Sequence, residues 1–157
     1  MPRTVREATK LDEQNNNTDW IDAVNKEIDL FMSFDVFEVL PYDQSQLEEY
    51  NKIPLVWAFS NKFDGRKRAR GAGGGHVTDD ITYDLYSGVV QLESVKCAFL
   101  AAELYNLDTM CADVTSAYLL ADTTEKVYLV AGPEFGKLQG RVLKVKKALY
   151  GLKTSGG

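Results

Sequence analysis

Asp113 is the residue of this chain whose surroundings most favour chemistry. It closes an apolar run, Thr109-Met110-Cys111-Ala112, that reads as a buried strand over residues 109–114, and it precedes Thr115-Ser116-Ala117-Tyr118, where the chain turns away. A carboxylate at the end of such a strand is costly to desolvate alone, so it demands a cation, a basic partner or access to solvent. A solvated strand-end aspartate meets that demand when Asp113 is taken in isolation. Two further features point instead toward a metal-bound phosphate: an aromatic ring at Tyr118, and two basic segments elsewhere in the chain. Lys62 to Arg70 holds five bases and one acid, and Lys137 to Gly157 holds six bases and no acid. A metal-dependent nucleotidyl transferase needs a hard oxygen ligand of this kind, because Mg²⁺ prefers oxygen, keeps several waters and shares its coordination with substrate phosphates. One aspartate is not a complete site.

Other chemistry-bearing residues offer less. Gly71, Gly73, Gly74 and Gly75 suggest a phosphate-cradling loop, but a P-loop needs Gly-Lys-Ser/Thr opening a helix after a strand, and His76-Val77-Thr78-Asp79-Asp80 supplies none of it. Asp79-Asp80 lies before Asp113 and has no aromatic strand residue in front of it, so it reads as a solvated loop. His76, the only histidine, lacks a nucleophile and a second ligand. Cys97 and Cys111 are too few for a disulfide scaffold and have no metal-ligand spacing, which leaves them structural roles.

The elements that must position Asp113 can be read from periodicity. Residues 1–17, with Gln14-Asn15-Asn16-Asn17, read as a flexible lead-in. Thr18 can cap a helix whose Trp20, Ala23, Val24, Ile28 and Phe31 recur at spacings of three and four. Val36 to Leu40 reads as a short strand ended by Pro41, followed by a polar connection from Tyr42 to Lys52. Leu55 to Phe63 is rich in aromatic and branched residues, and Asp64-Gly65 marks a hairpin whose return strand carries the basic run. The glycines after Arg70 should end that strand early, since they have no side chains to pack and lose the most backbone entropy on ordering. A helix is expected over Glu93 to Asn106 with Val95, Ala98, Phe99, Ala102 and Tyr105 on its inner face. Two more strands follow at Val127–Val130 and Val142–Val145. The order predicts an α+β fold with helices packed on one face of a sheet, filling one domain over residues 18–157.

Composition bounds the rest. Hydrophobic residues at 45% and charged residues at 26% are globular values. The net charge of −5 argues against a nucleic-acid partner only if its distribution is ignored: residues 1–50 carry twelve acids against four bases, and the bases concentrate in the two segments named above. No apolar run approaches the roughly 20 residues that cross a bilayer, and the first residues have no apolar signal core. A soluble intracellular protein, cytoplasmic or nuclear and without a membrane partner, is the expectation.

The string Asp113-Val114-Thr115-Ser116-Ala117-Tyr118-Leu119 resembles the first catalytic motif of reverse transcriptases in Ty1/copia retrotransposons. Its neighbours keep that register. Trp20 with Ala23 and Glu27 is similar to the family's leading helix, Trp57-Ala58-Phe59 before Lys62 to its fingers hairpin, and Arg68-Ala69-Arg70 to its basic step. Gly74-Gly75-His76 resembles the Gly-Gly-His of some members, and Val127-Tyr128 with Gly132-Pro133-Glu134-Phe135 resembles the segment after the first motif. Lys147-Ala148-Leu149-Tyr150-Gly151-Leu152-Lys153 is close to a family signature.

The resemblance, which runs from Trp20 to Ser155, implies an incomplete reverse-transcriptase-like fold, with a fingers hairpin and part of the palm sheet. It implies that Asp113 and the carbonyl of Val114 bind Mg²⁺, two ions in the complete enzyme, and that Tyr118 lies under the incoming sugar as a steric gate against a 2′-hydroxyl. By the same resemblance, Lys62, Arg68 and Arg70 face the triphosphate, in an order left open, while Tyr150 and Gly151 contact the nucleotide and template base. The implied partners are an RNA or DNA template-primer, a deoxynucleoside triphosphate and the remainder of the polymerase or polyprotein. The family also needs a Tyr-x-Asp-Asp hairpin, which these 157 residues lack, so no polymerase activity is expected from this chain alone. Two departures, Gly71-Ala72-Gly73 after the basic step and Thr154-Ser155-Gly156-Gly157 after the signature, suit a decayed or partial element copy. A non-catalytic nucleic-acid-binding module and an inert relic are the rival expectations.

Overall fold

Thr4-Val5-Arg6-Glu7 carries the Thr-x-x-Glu signature of a helix start, and the computed structural model, which describes residues 1–41, 47–75 and 88–156, has a helix there, α1, Val5–Asn15. Thr4 Oγ1 accepts from Glu7 N at 3.2 Å, and Asn16 closes the helix in the left-handed conformation at φ 50°. The lead-in expected over residues 1–17 is therefore mostly helix: the polar Asn run is a helix end, and Ala8 and Asp12 are buried.

α2, Asp19–Ser33, follows with its predicted apolar stripe, and Trp20, Ala23, Val24 and Phe31 are buried. Thr18 holds the N-cap position, but its hydroxyl donates to Asp22 Oδ2 instead of capping. The cap comes from α1. Asp12 Oδ2 accepts from Ile21 N at 2.9 Å and from Trp20 N at 3.1 Å, two of the amides a helix start leaves unpaired. Asp12→Ala is expected to cost about 2 kcal/mol, since it removes a cap and strands buried amides. Urea denaturation would measure it, and a loss indistinguishable from zero would remove the cap from the account.

The strand pattern of residues 55–73 forms an antiparallel hairpin of β3, Leu55–Asn61, and β4, Lys67–Gly73, in register from Leu55 opposite Gly73 to Asn61 opposite Lys67. Gly65 turns it at φ 82°. One face packs on α2, where the Trp20 and Phe59 rings meet edge-on at 5.7 Å.

The second sheet joins β1, Phe37–Val39, β2, Asn51–Lys52, β5, Val127–Val130, and β6, Val142–Val145, in the order β1-β6-β5-β2. β6 pairs antiparallel with both β1 and β5, while β2 runs parallel to β5. Alternation along β5 and β6 sends Val127, Leu129, Leu143 and Val145 into the core with Phe31, Val36, Phe37 and Leu149. β2 was hidden in a stretch read as polar connection: two residues show no periodicity.

Several expectations fail. The glycines do not end β4, which continues through Gly71 and Gly73. The strand expected at 109–114 is irregular and exposed, with Met110 at 93% and Val114 at 63%; it joins no ladder among the described residues, and an unpaired strand has nothing to hold it extended. α3, Leu92–Leu104, forms as expected but buries only Ala102, leaving Phe99, Leu100, Leu104 and the following Tyr105 exposed, so it does not pack on a sheet as α2 does. Cys97 and Cys111 are exposed and not core residues. His76 and Asp79-Asp80 lie outside the described residues. Among the described residues no helix is long and apolar enough to cross a membrane.

Candidate active site

The Asp113 segment leads into α4, Ala117–Leu120, through Ser116, which takes a left-handed conformation at φ 56°. Leu119 sinks into the core beside Phe31 and Leu149 and anchors the helix. Beyond α4 the chain is tied to the segment after β6: Thr123 N donates to Lys146 O and Ala148 N to Ala121 O, both at 2.9 Å. Tyr118 is thereby set beside Tyr150, their rings edge-on with centroids 5.3 Å apart. Arg70 completes the row, its guanidinium carbon 5.4 Å from the Tyr150 ring centre.

Gly151 makes this convergence possible. It sits at φ 89°, and a Cβ there would lie 2.5 Å from the Gly73 carbonyl oxygen. Tyr150 O accepts from Gly73 N at 2.7 Å, so the 150–152 turn lies directly on the end of β4. Gly75 serves the same contact, since a Cβ there would lie 2.3 Å from Gly151 O, while Gly71 admits α2: a Cβ there would lie 2.8 Å from the Phe31 ring. Glycines that look like strand decay in the sequence are close-approach positions.

The result is a cavity of about 410 Å³ between α2, β4, the 113–119 segment and Tyr150, lined by Asp113, Val114, Tyr118, Arg68, Arg70, Tyr150 and Glu27 among others. Six of the eight residues expected at the site line it together. Lys62 lines instead an adjoining groove of about 650 Å³ with Arg66, Lys67 and Asp64; Glu27, Leu30 and Arg68 border both spaces. Gly151 supports the wall without lining it. A separate cleft of about 790 Å³ lies between α1 and β3, around Arg6, Val56 and Trp57.

Asp113 and Tyr118 are exposed to this space, the tyrosine at 39%. Among the described residues no three His, Cys, Asp or Glu side chains gather into a metal cage. Asp113 supplies a carboxylate next to backbone carbonyls, a donor set that suits Mg²⁺ arriving with phosphate oxygens and water. Asp122 cannot add to it, because Lys147 Nζ binds its carboxylate at 2.7 Å and holds its pKa below the usual range.

Glu27 is the residue whose role the sequence did not reveal. From α2 its Oε1 accepts from Gly71 N at 3.3 Å. Burial pushes its carboxyl above the usual range, opposed by the Gly71 N–H and then by Arg70 and Arg68. With the folded value raised, the associated stability is complete below the unfolded value and is lost as pH rises through the folded one. Glu27→Gln is therefore expected to raise Tm at neutral pH and leave it near wild type in acid, where Glu27 is already protonated. Equal shifts in both melting curves would contradict this.

Residues 40–157 match the family model described as reverse transcriptase (RNA-dependent DNA polymerase). The chain belongs to that family. Within it the similarity is to the Ty1/copia type: the truncated transposon Ty1-A Gag-Pol polyprotein of Saccharomyces cerevisiae is 29% identical over 140 residues, covering 87% of this chain and 12% of that protein. The Ty1-DR5 and Ty1-ML1 Gag-Pol polyproteins of the same yeast are also 29% identical over 140 residues, 87% of this chain and 8% of each of theirs. This reverse-transcriptase chain thus spans about a tenth of the length of the curated relatives it matches. No solved structure matches it significantly.

Proposed function

We propose that the Asp113 cavity is the nucleotide pocket of a retrotransposon RNA-directed DNA polymerase, with the β3–β4 hairpin as its fingers and the four-stranded sheet as the start of its palm. The observation that carries this reading is the convergence of Asp113, Tyr118, Arg68, Arg70 and Tyr150 on one cavity from three separate stretches of sequence. Asp113 and the Val114 carbonyl hold magnesium in this reading. Bound there, the metal would supply charge stabilisation for in-line attack of a primer 3′-hydroxyl on the α-phosphate of a deoxynucleoside triphosphate, with the bond to pyrophosphate breaking as the new ester forms. Arg68 and Arg70 receive the triphosphate, and Lys62 meets phosphates only across the adjoining groove. Tyr118, braced edge-on by Tyr150, fills the space of a ribose 2′-hydroxyl. Template-primer and the remaining parts of a Gag-Pol polyprotein are the proposed partners.

Alone, this chain does not polymerise in our reading, because its sequence has no Tyr-x-Asp-Asp and Asp122 is engaged with Lys147. Primer extension with Mg²⁺ or Mn²⁺ should give no template-dependent product, and such a product would overturn the proposal on that point. The gate is tested by competition of dATP and ATP for the pocket. The wild type should prefer dATP, and Tyr118→Ala should bring the two to near equality. A wild type that binds both equally would refute the gate.

A further inference from the structure

The free edge of β4 is held at two points. Ladder bonds from Gly74 N to Pro54 O and from Lys62 N to Arg66 O fix the pairing phase, so the N–H groups of Gly71 and Gly73 point away from β3. Gly73 N is taken by the Tyr150 carbonyl and Gly71 N by the Glu27 carboxylate. Arg70 immediately precedes the Gly71 anchor, and Arg68 lies one pleat before Arg70. Absent side chains at Gly71 and Gly73 let Phe31 and Leu152 close directly onto the strand. Glu27 itself lies outside residues 40–157, the stretch the family model matches.

A free strand edge frays when its amides have only water to bind, and a carboxylate is a strong acceptor for one of them. The same carboxylate stands beside two arginines, where its charge opposes an arriving anion. Acceptor and charge therefore act in opposite directions on phosphate binding, and they can be separated experimentally.

We propose that Glu27 is a positioning residue: by accepting the Gly71 N–H it fixes the free edge of β4 and so aims Arg68 and Arg70 into the cavity shared with Asp113 and Tyr118. The inference rests on the reading of that cavity as a nucleotide pocket.

The test uses the full chain and metal-free inorganic tripolyphosphate, with the wild type, Glu27→Gln and Glu27→Met. Gln keeps the acceptor and loses the charge; Met has similar size and helix propensity and loses both. The Gln variant should bind at least as tightly as the wild type, and the Met variant about fivefold more weakly than Gln, the effect of one hydrogen bond. Amide exchange at Gly71 should quicken in the Met variant alone, while Gly73, held by Tyr150, stays unchanged. If Gln and Met bind equally, the inference fails and the reading of the cavity stands. If no variant, wild type included, binds tripolyphosphate, the reading of the cavity fails and takes the inference with it. Should the Met variant not fold, Gly71 in the wild type decides the matter: an unprotected amide there overturns the proposal.

Discussion

Gly151→Ala is expected to cost about 3 kcal/mol or more of folding free energy, with two independent causes. A side chain at φ 89° carries a backbone penalty of about 1–2 kcal/mol, and a Cβ 2.5 Å from the Gly73 carbonyl oxygen forces backbone against backbone, adding about 1–3 kcal/mol. Gly140→Ala separates the two causes, because Gly140 is at φ 79° with nothing within 4 Å of its Cβ position, so it bears the backbone penalty alone. Gly88, at an ordinary φ and in open space, should tolerate alanine with little effect. Chemical denaturation of the three variants should order them Gly151, Gly140, Gly88 from largest loss to smallest. The Gly151 variant should also lose tripolyphosphate binding, since parting Tyr150 O from Gly73 N frees both Tyr150 and the strand that carries Arg70. Equal losses at 151 and 140 would mean that the turn does not press on β4.

Phe31→Ala should have an effect of the same order, about 3–5 kcal/mol. The ring is 2% exposed, meets Phe37 edge-on at 5.6 Å, and joins the hairpin to the core of the larger sheet. It also occupies the space beside Gly71, with Cε2 2.8 Å from where a Cβ would stand. Gly71→Ala should therefore destabilise the wild type yet be tolerated once Phe31 is Ala, because the added methyl enters the space the ring leaves. The coupling should reach about 1 kcal/mol or more in a double-mutant cycle, well beyond what distant sites show. Strict additivity would mean that ring and glycine do not meet.

These two experiments mark the boundary of what could be read from residue types. The stripe on α2, the Asp64-Gly65 hairpin, β5 and β6 were legible because each is a local pattern: a helical period, a turn dipeptide, an alternation. Asp12 was not legible, since a cap delivered from another helix leaves no local signature. Gly71 to Gly75 were misleading for a related reason. A glycine that weakens a strand and a glycine that admits a neighbouring backbone are identical in sequence, and only the partner, here Gly151 or Phe31, tells them apart. The expected strand at 109–114 shows the converse. Its apolar composition is real, but pairing is a property of two segments, and it finds none among the described residues.

For the candidate site, the family resemblance pointed to Asp113, Tyr118, Tyr150 and the basic step, and it left open the order of Lys62, Arg68 and Arg70, which line different spaces. Lys62 falls in the adjoining groove, and the two arginines reach the cavity. Glu27 was legible only as part of the leading-helix resemblance; its bond to Gly71 was not, because an acid on the polar side of an amphipathic helix is ordinarily a solvated one.

The most direct measurement of the central claim is an equilibrium titration of a deoxynucleoside triphosphate onto the 157-residue chain, with and without Mg²⁺, in the wild type and in Asp113→Ala. The account predicts that Mg²⁺ tightens binding to the wild type and leaves the Asp113→Ala protein, folded and otherwise competent, without that gain. Binding that ignores Mg²⁺ in both proteins and falls steeply with added salt would contradict it, and would mark the two basic segments as a nucleic-acid surface with no nucleotide pocket behind them.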